Sequence, residues 1–266
     1  MKFPRLAFSG LAALSSLCLT LVLAISLAIP ALAASPQAEE LTISAAASLT
    51  ESLGEIKILF EKAHPSATLI LNFAASSPLL KQIQQGAPVD LFASANQKFM
   101  DQAEKEGLLL AGTRTNFVAN DLVLAVPADN PAKVGGLEDL KKPTVKRIGL
   151  GNPDSVPAGQ YAKAALTKAG LFEALAPAYI FGESVRQVLD YVRRAEVDAA
   201  FVYATDAAQA GKSVATVAVI PLEESVSYPV AVLAASKHQD LAATFVRFLS
   251  DPAAQAVFKG KGFSIP

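Results

Sequence analysis

The chain has 266 residues, of which 52% are hydrophobic and 18% are charged, and its formal net charge is −1. This length suffices for one large domain or for two small lobes with buried cores. A near-neutral charge without a basic run argues against nucleic acid as a partner.

The first segment in chain order has the layout of a secretory signal peptide. Lys2 and Arg5 precede an apolar run at 6–29, and a small-x-small cleavage motif ends at Ala33. We therefore predict a signal peptide at 1–33 and export to the periplasm. A retained membrane anchor is the alternative, because the apolar run is long enough to span a bilayer. Cleavage would also remove the only cysteine, so the mature protein would contain no disulfide.

Strand and helix patterns alternate after the signal peptide. Strands are predicted at 41–45, 68–74 and 89–93, and helices at 49–63, 78–85 and 97–106. The helix at 49–63 has Leu53, Ile56 and Phe60 at helical spacing. Alternation of this kind favours a mostly parallel sheet that is covered by helices on both faces.

The pattern starts again after a second apolar run. The run at 121–126 is predicted to be a connecting strand, because Pro127 ends it. Further strands are predicted at 147–150, 179–181, 197–203 and 228–234, and further helices at 159–169, 185–193, 239–249 and 252–258. Two α/β lobes are the simplest account, and a ligand cleft is expected between them. We predict that lobe I comprises 35–124 and 225–266 and that lobe II comprises 125–224; one large doubly wound sheet is the alternative.

Most of the groups that enzymes use are missing from the sequence. It contains no Gly-x-Ser-x-Gly, Ser-x-x-Lys or His-Glu-x-x-His motif, no phosphate-binding loop and no dinucleotide fingerprint. The two histidines, His64 and His238, lie far apart and are expected at solvated helix ends. Isolated carboxylates could serve a hydrolase, but no pair stands out. We therefore expect a binding protein without enzymatic activity and without a cofactor.

One local event occurs at four places: a strand ends, small or hydroxyl residues follow, and a helix begins. The four places are 45–50, 73–78, 151–159 and 182–185. Each helix start has unpaired N–H groups and a partial positive charge, so several of them together can bind an anion without lysine or arginine. Ser48 and Ser76 would add hydroxyl donors, although a serine at a helix start is often only an N-cap. Tyr203, at a strand end, is either a core residue or faces the same cleft.

Six short motifs carry a family resemblance and cover the mature chain in order. They are Ala45–Thr50 (AAASLT), Phe73–Ser77 (FAASS), Gly86–Ala95 (GAPVDLFASA), Gly151–Gly159 (GNP and VPAG), Ser184–Arg186 (SVR) and Phe201–Asp206 (FVYATD). In these motifs the chain resembles the periplasmic molybdate-binding proteins of ABC-type uptake systems. The resemblance implies a type II periplasmic binding protein fold, in which each of two α/β lobes has a mixed, mostly parallel sheet flanked by helices.

The resemblance also implies a ligand and the groups that hold it in the cleft between the lobes. The hydroxyls of Ser48 and Ser76, the backbone N–H groups of Ala158 and Val185 and the hydroxyl of Tyr203 would bind molybdate or tungstate. Molybdenum would be present only as this oxyanion. The further implications are closure of the lobes around the ligand and delivery to the membrane permease of an ABC transporter; a monomer is the default expectation.

A few residues qualify the resemblance. Ala75 and Pro78 depart from the family pattern, but neither is expected to bind the ligand. Asp90 and Arg186 belong to the shared motifs, and we expect them to fix loops.

Two other functions stay open: a binding protein for sulfate, phosphate or another small solute, and an exported hydrolase with Ser48 or a second serine, Ser76, as nucleophile. The hydrolase would need a general base near that serine, and the sequence shows no obvious one.

Overall fold

The computed structural model describes Met1 and residues 39–266. The predicted signal peptide at 1–33 lies outside the described residues, apart from Met1. No helix within 39–266 is both long enough and apolar enough to cross a membrane.

Strands and helices alternate along most of the described chain. The strands are β1 (Glu39–Ala46), β2 (Ala67–Ala74), β3 (Leu91–Ala93), β4 (Thr115–Asn120), β5 (Leu122–Pro127), β6 (Ile148–Gly151), β7 (Tyr179–Gly182), β8 (Ala199–Tyr203), β9 (Val214–Val219) and β10 (Val226–Val232). The helices are α1 (Thr50–Ala63), α2 (Ser76–Gln84), α3 (Gln97–Lys105), α4 (Pro157–Lys168), α5 (Val185–Arg193), α6 (Ala204–Ala210), α7 (Gln239–Phe248) and α8 (Pro252–Gly260).

The strands form two five-stranded sheets with the same arrangement. The first has the order β2-β1-β3-β10-β4 and the second the order β7-β6-β8-β5-β9. In each sheet the first three strands are parallel, and the remaining two pair antiparallel. The prediction of two α/β lobes with mixed, mostly parallel sheets is therefore confirmed, and the alternative of one large doubly wound sheet is wrong.

The chain changes sheets at Asp121. Strand β4 ends at Asn120 in the first sheet, and β5 pairs with β8 in the second sheet from Leu122 onward. The first lobe boundary expected at 124 thus lies a few residues earlier in the structure. Because both strands are partly apolar, composition does not mark the point at which the chain leaves one sheet for the other. The second passage lies between β9 and β10.

Sequence patterns do not predict three of these elements: β4, β9 and α6. Strand β4 carries Asn116 and Asn120 among its six residues and shows no clear apolar run. Strand β9 is apolar at every position except Thr216, yet it lies outside the predicted strands. Helix α6 has seven residues, most of them alanine, and shows no amphipathic period. Strand β4 and helix α6 therefore lack a clear local signal, whereas β9 has one.

The predicted apolar face of α1 lies in the core of the first lobe. Leu53, Ile56 and Phe60 are at most 1% exposed. The Phe60 ring meets the ring of Phe245 from α7 edge to face, with centroids 5.0 Å apart. The C-terminal helices α7 and α8 therefore return to the first lobe, where they pack against α1.

Candidate anion-binding site

A small cavity between the lobes brings the predicted site residues together. Its volume is about 10 Å³, which is the room of about one water molecule. Its lining comes from the first lobe (Ala46, Ala47, Ser48, Ala75, Ser76, Ala95) and from the second lobe (Val156, Pro157, Ala158, Val185, Tyr203). All five residues named from the sequence thus line one cavity, which closes only because both lobes contribute to it.

The first lobe contributes two serines at the starts of helices. Ser48 lies in a short 3-10 turn, Ala47–Leu49, which joins β1 to α1. Its Oγ lies 2.9 Å from the hydroxyl of Tyr228. Ser76 is the first residue of α2, and its Oγ accepts a hydrogen bond of 3.1 Å from the backbone N–H of Ala95. Each serine hydroxyl therefore has one hydrogen-bond partner within the first lobe. Because the Ser76 hydroxyl accepts from Ala95, it keeps its own proton to donate.

The second lobe contributes the starts of α4 and α5. Ala158 and Val185 lie in the first turns of these helices, where backbone N–H groups have no partner within the helix. Gly159 allows α4 to begin tightly against β6, because a Cβ on it would lie 1.9 Å from the carbonyl oxygen of Gly151. Ser184 caps α5 by accepting a hydrogen bond of 3.2 Å from the N–H of Gln187. Backbone amides, rather than this serine, are thus what α5 offers to the cavity.

Tyr203 supplies a hydroxyl from the end of β8. The residue is 1% exposed, yet its hydroxyl has no hydrogen-bond partner among the described residues. Burial raises the pKa of Tyr203 well above its usual value, and the nearby Tyr228, Tyr161 and Asp206 raise it further. The phenol therefore keeps its proton and can donate it into the cavity. A core tyrosine without a role in the site would normally satisfy its hydroxyl.

No charged side chain lines the cavity, although Arg186 lies nearby. Its Nη1 donates to Glu51 at 3.0 Å, and its Nε lies 2.9 Å from Oδ1 of the fully buried Asp206. Burial raises the pKa of Asp206 to about 6, although the charge of Arg186 opposes this shift. Because Glu51 belongs to α1 and the other two residues belong to the second lobe, this cluster joins the lobes and neutralises Arg186.

Asp90 joins two segments of the first lobe by hydrogen bonds. Its carboxylate accepts hydrogen bonds from the N–H of Thr42 at 2.8 Å and from the hydroxyl of Ser236 at 2.6 Å. It ties β1 to the segment after β10. These contacts agree with the expectation that Asp90 fixes loops.

Two further hydrogen bonds join the lobes beside the cavity. The side-chain amide of Asn96 donates to Oε1 of Gln160 at 2.8 Å, and the N–H of Ser77 donates to the carbonyl oxygen of Ser155 at 3.3 Å. The lobes therefore meet around the lining residues.

Sequence reasoning missed Tyr228 and Asn120, which lie directly behind the site. Tyr228 is fully buried, and Nδ2 of Asn120 donates to its hydroxyl at 3.3 Å. In the sequence, Tyr228 stands in an apolar strand and reads as an ordinary core residue. The only available signal was the polar Asn120 directly before the predicted strand at 121–126, because a buried amide needs partners.

The surroundings of the histidines and of the two site serines are as follows in residues 39–266. Among residues 39–266, no cluster of three or more histidine, cysteine or carboxylate side chains could hold a metal ion. The His64 ring packs on Phe60, with centroids 4.4 Å apart, and His238 lies 3.9 Å from a carboxylate oxygen of Glu39. Neither Ser48 nor Ser76 has a hydrogen bond to a histidine or carboxylate in this part of the chain. The described residues therefore place no general base beside Ser48 or Ser76, which the serine hydrolase alternative would need.

Comparison with known proteins gives consistent results. Residues 41–264 match the model of the family "Bacterial extracellular solute-binding protein". The chain is 38% identical over 232 residues to the molybdate-binding protein ModA of Escherichia coli, an alignment that covers 85% of this chain and 89% of that protein. It is 36% identical over 230 residues to the molybdate-binding protein ModA of Haemophilus influenzae, with 85% and 90% covered. The solved structure of the periplasmic molybdate-binding protein of Azotobacter vinelandii shares the fold, with a TM-score of 0.74 at 21% identity and with 85% and 99% covered.

Proposed function

Because the chain belongs to the family of bacterial extracellular solute-binding proteins, we propose that it binds molybdate or tungstate between its lobes. It then delivers the oxyanion to the membrane permease of an ABC transporter. The protein acts in the periplasm after its signal peptide is removed, works as a monomer, and has neither enzymatic activity nor a cofactor. The names of its molybdate-binding relatives support this choice of ligand.

The observation that carries the proposal is the donor-only lining of the cavity. Ser48, Ser76, Ala158, Val185 and Tyr203 line it, and no charged side chain does. We expect the three hydroxyls and the backbone N–H groups of Ala158 and Val185 to point into it. A hydrogen bond to a charged group contributes about 1.5–3 kcal/mol, so several together can offset the desolvation of a small dianion. None of these donors titrates near neutral pH, so we expect binding to depend little on pH there.

The placement of the donors favours a tetrahedral oxyanion. Donors arrive from both lobes, so they can surround an anion that accepts hydrogen bonds on all sides. Molybdate and tungstate have nearly the same size and charge, so the site should bind both. Sulfate is smaller, and a shell built for the larger ion would leave it with long hydrogen bonds.

The direct test is a thermal melt of the mature protein with molybdate, tungstate, sulfate or phosphate. A ligand at a thousandfold excess over its Kd stabilises by about 4 kcal/mol, which corresponds to a rise in Tm of about 8–16 °C. We expect this rise with molybdate and tungstate. A comparable rise with sulfate or phosphate alone would show a binding protein for another oxyanion, and no rise with any of the four would overturn the proposal.

A pair of adjacent serines provides a matched test of the site. Ser76→Ala should weaken molybdate binding by about 1.5–3 kcal/mol, because it removes a donor to a charged ligand. Ser77→Ala is the control, since Ser77 lies on the same helix and is 8% exposed but does not line the cavity. Isothermal titration calorimetry would measure both dissociation constants. Equal effects of the two substitutions would remove Ser76 from the site.

A further inference from the structure

A line of buried hydrogen bonds leads from Ser48 to the point where the chain changes sheets. The hydroxyl of Tyr228 lies 2.9 Å from Oγ of Ser48 and accepts a hydrogen bond of 3.3 Å from Nδ2 of Asn120. Oδ1 of Asn120 in turn accepts a hydrogen bond of 3.0 Å from the backbone N–H of Asp121. Two side chains thus connect the cavity serine to the backbone at the junction of the lobes.

The direction of each bond follows from the Asp121 end. A backbone N–H can only donate, so it must face the oxygen of the Asn120 amide and leave Nδ2 toward Tyr228. Nδ2 also donates to Oγ1 of Thr205 at 2.9 Å, which uses its second proton. The Tyr228 oxygen therefore accepts from Asn120. Its own proton is then available to Ser48, whose Oγ lies 2.9 Å away, and the Tyr203 hydroxyl is the second neighbour of this phenol.

This order fixes the role of Ser48 toward the cavity. Burial raises the pKa of Tyr228 well above its usual value, so the phenol keeps the proton that it donates. An oxygen that accepts from Tyr228 leaves the single hydroxyl proton of Ser48 free to point into the cavity. Ser76 is held in a similar way, because its Oγ accepts from the N–H of Ala95.

We propose that Asn120 and Tyr228 are positioning residues that hold Ser48 as a donor, and that they thereby select oxyanions without a proton. This inference rests on the proposed function. Molybdate, tungstate and sulfate present only acceptors near neutral pH, whereas hydrogenphosphate carries a proton that needs an acceptor. In a donor-only cavity that proton would be left without a partner, which disfavours the ion. Without the Tyr228 hydroxyl, Ser48 could turn and accept it.

Tyr228→Phe tests the inference, with molybdate and hydrogenphosphate as probes at mildly alkaline pH. Molybdate affinity should fall by about 3- to 10-fold, the equivalent of one neutral hydrogen bond. The preference for molybdate over hydrogenphosphate, measured by calorimetric competition, should fall by about 10-fold. In a Ser48→Ala background, Tyr228→Phe should cause no further loss, because Tyr228 acts through Ser48. Tyr179→Phe, which removes a hydroxyl that donates to the carbonyl oxygen of Phe172, is the control and should leave the preference unchanged.

Asn120→Asp provides a second variant in case Tyr228→Phe does not fold. A carboxylate at position 120 still accepts from Asp121 but cannot donate to Tyr228, so the line of bonds reverses. Both probes are dianions, so the added charge affects both alike and their ratio still reports the direction of Ser48. The inference would be overturned if a folded variant kept the wild-type ratio of molybdate to hydrogenphosphate affinity. It would also be overturned if Tyr228→Phe lowered molybdate affinity equally in the wild-type and Ser48→Ala backgrounds. Failure of the wild type to bind either anion would instead overturn the proposed function.

Discussion

The hydroxyl of Tyr203 is buried without a hydrogen-bond partner among the described residues, so its removal should have opposite effects on stability and on binding. In the unliganded protein, Tyr203→Phe removes a polar group that is left unsatisfied in this arrangement of the lobes. In the complex, the same substitution removes a donor that faces the anion. Few substitutions separate a binding role from a packing role so directly.

The magnitudes follow from the two environments. An unsatisfied buried polar group costs about 1–3 kcal/mol, so the unliganded variant should be as stable as the wild type or more stable by up to that amount. For a domain of this size, this is a rise in Tm of up to about 12 °C. Loss of a hydrogen bond to a charged ligand costs about 1.5–3 kcal/mol, which raises the Kd for molybdate by about 10- to 150-fold.

Calorimetric melts and titrations on the same preparations would measure both quantities. Tyr179→Phe is the matched control, because the Tyr179 hydroxyl donates to the carbonyl oxygen of Phe172 at 2.8 Å. That variant should lose about 0.5–1.5 kcal/mol of stability and keep its affinity. If Tyr203→Phe instead lowered the Tm of the unliganded protein and left the Kd unchanged, Tyr203 would be an ordinary core residue and the reasoning would be refuted.

Three further predictions concern the residues around the cavity. Glu51→Gln should raise the Kd for molybdate by about 2- to 5-fold, since it weakens the contact with Arg186 that joins the lobes; an unchanged Kd would show that this contact does not support closure. Gly159→Ala should cost at least about 1–3 kcal/mol and weaken binding, because its Cβ would collide with the carbonyl oxygen of Gly151; wild-type melts and titrations would contradict this. Burial raises the folded-state pKa of Asp206 from 3.8 to about 6, so its stabilising contribution is complete below about pH 3.8 and is lost as the pH rises through about 6. Relative to Asp206→Asn, the wild type should therefore lose up to about 3 kcal/mol of stability between about pH 4 and about pH 7, and parallel pH profiles of the two proteins would disprove this assignment.

Local patterns in the sequence sufficed for the elements that build the parallel part of each sheet. The spacing of Leu53, Ile56 and Phe60 predicts α1, and these residues are buried in the structure. The small and hydroxyl residues at the strand ends predict helices from 78 and 159, each two residues after the observed starts of α2 and α4 at Ser76 and Pro157. These signals are readable because a strand end, a cap and an apolar face each depend on residues close together in the chain.

The convergence of the donors is a property of the tertiary structure. Ser48 and Val185 are far apart in sequence, and only the packing of two lobes places them around one cavity. The family resemblance named these positions in advance, whereas the periodicity of the residues alone could not. The change of sheets at Asp121 was likewise hidden, because pairing partners rather than composition decide which sheet a strand joins.

The hydrogen-bond donors of the site show most clearly which features could be predicted from the sequence and which depend on the tertiary structure. The sequence alone predicted that serines and helix starts, rather than lysine or arginine, would face an anion. Only the tertiary structure decided that Tyr228 and Asn120 stand behind Ser48 and that the Tyr203 hydroxyl is left free for the cavity. The physical reason is that a hydrogen bond depends on the position and direction of two groups in space, and these groups come from strands that are distant in the chain.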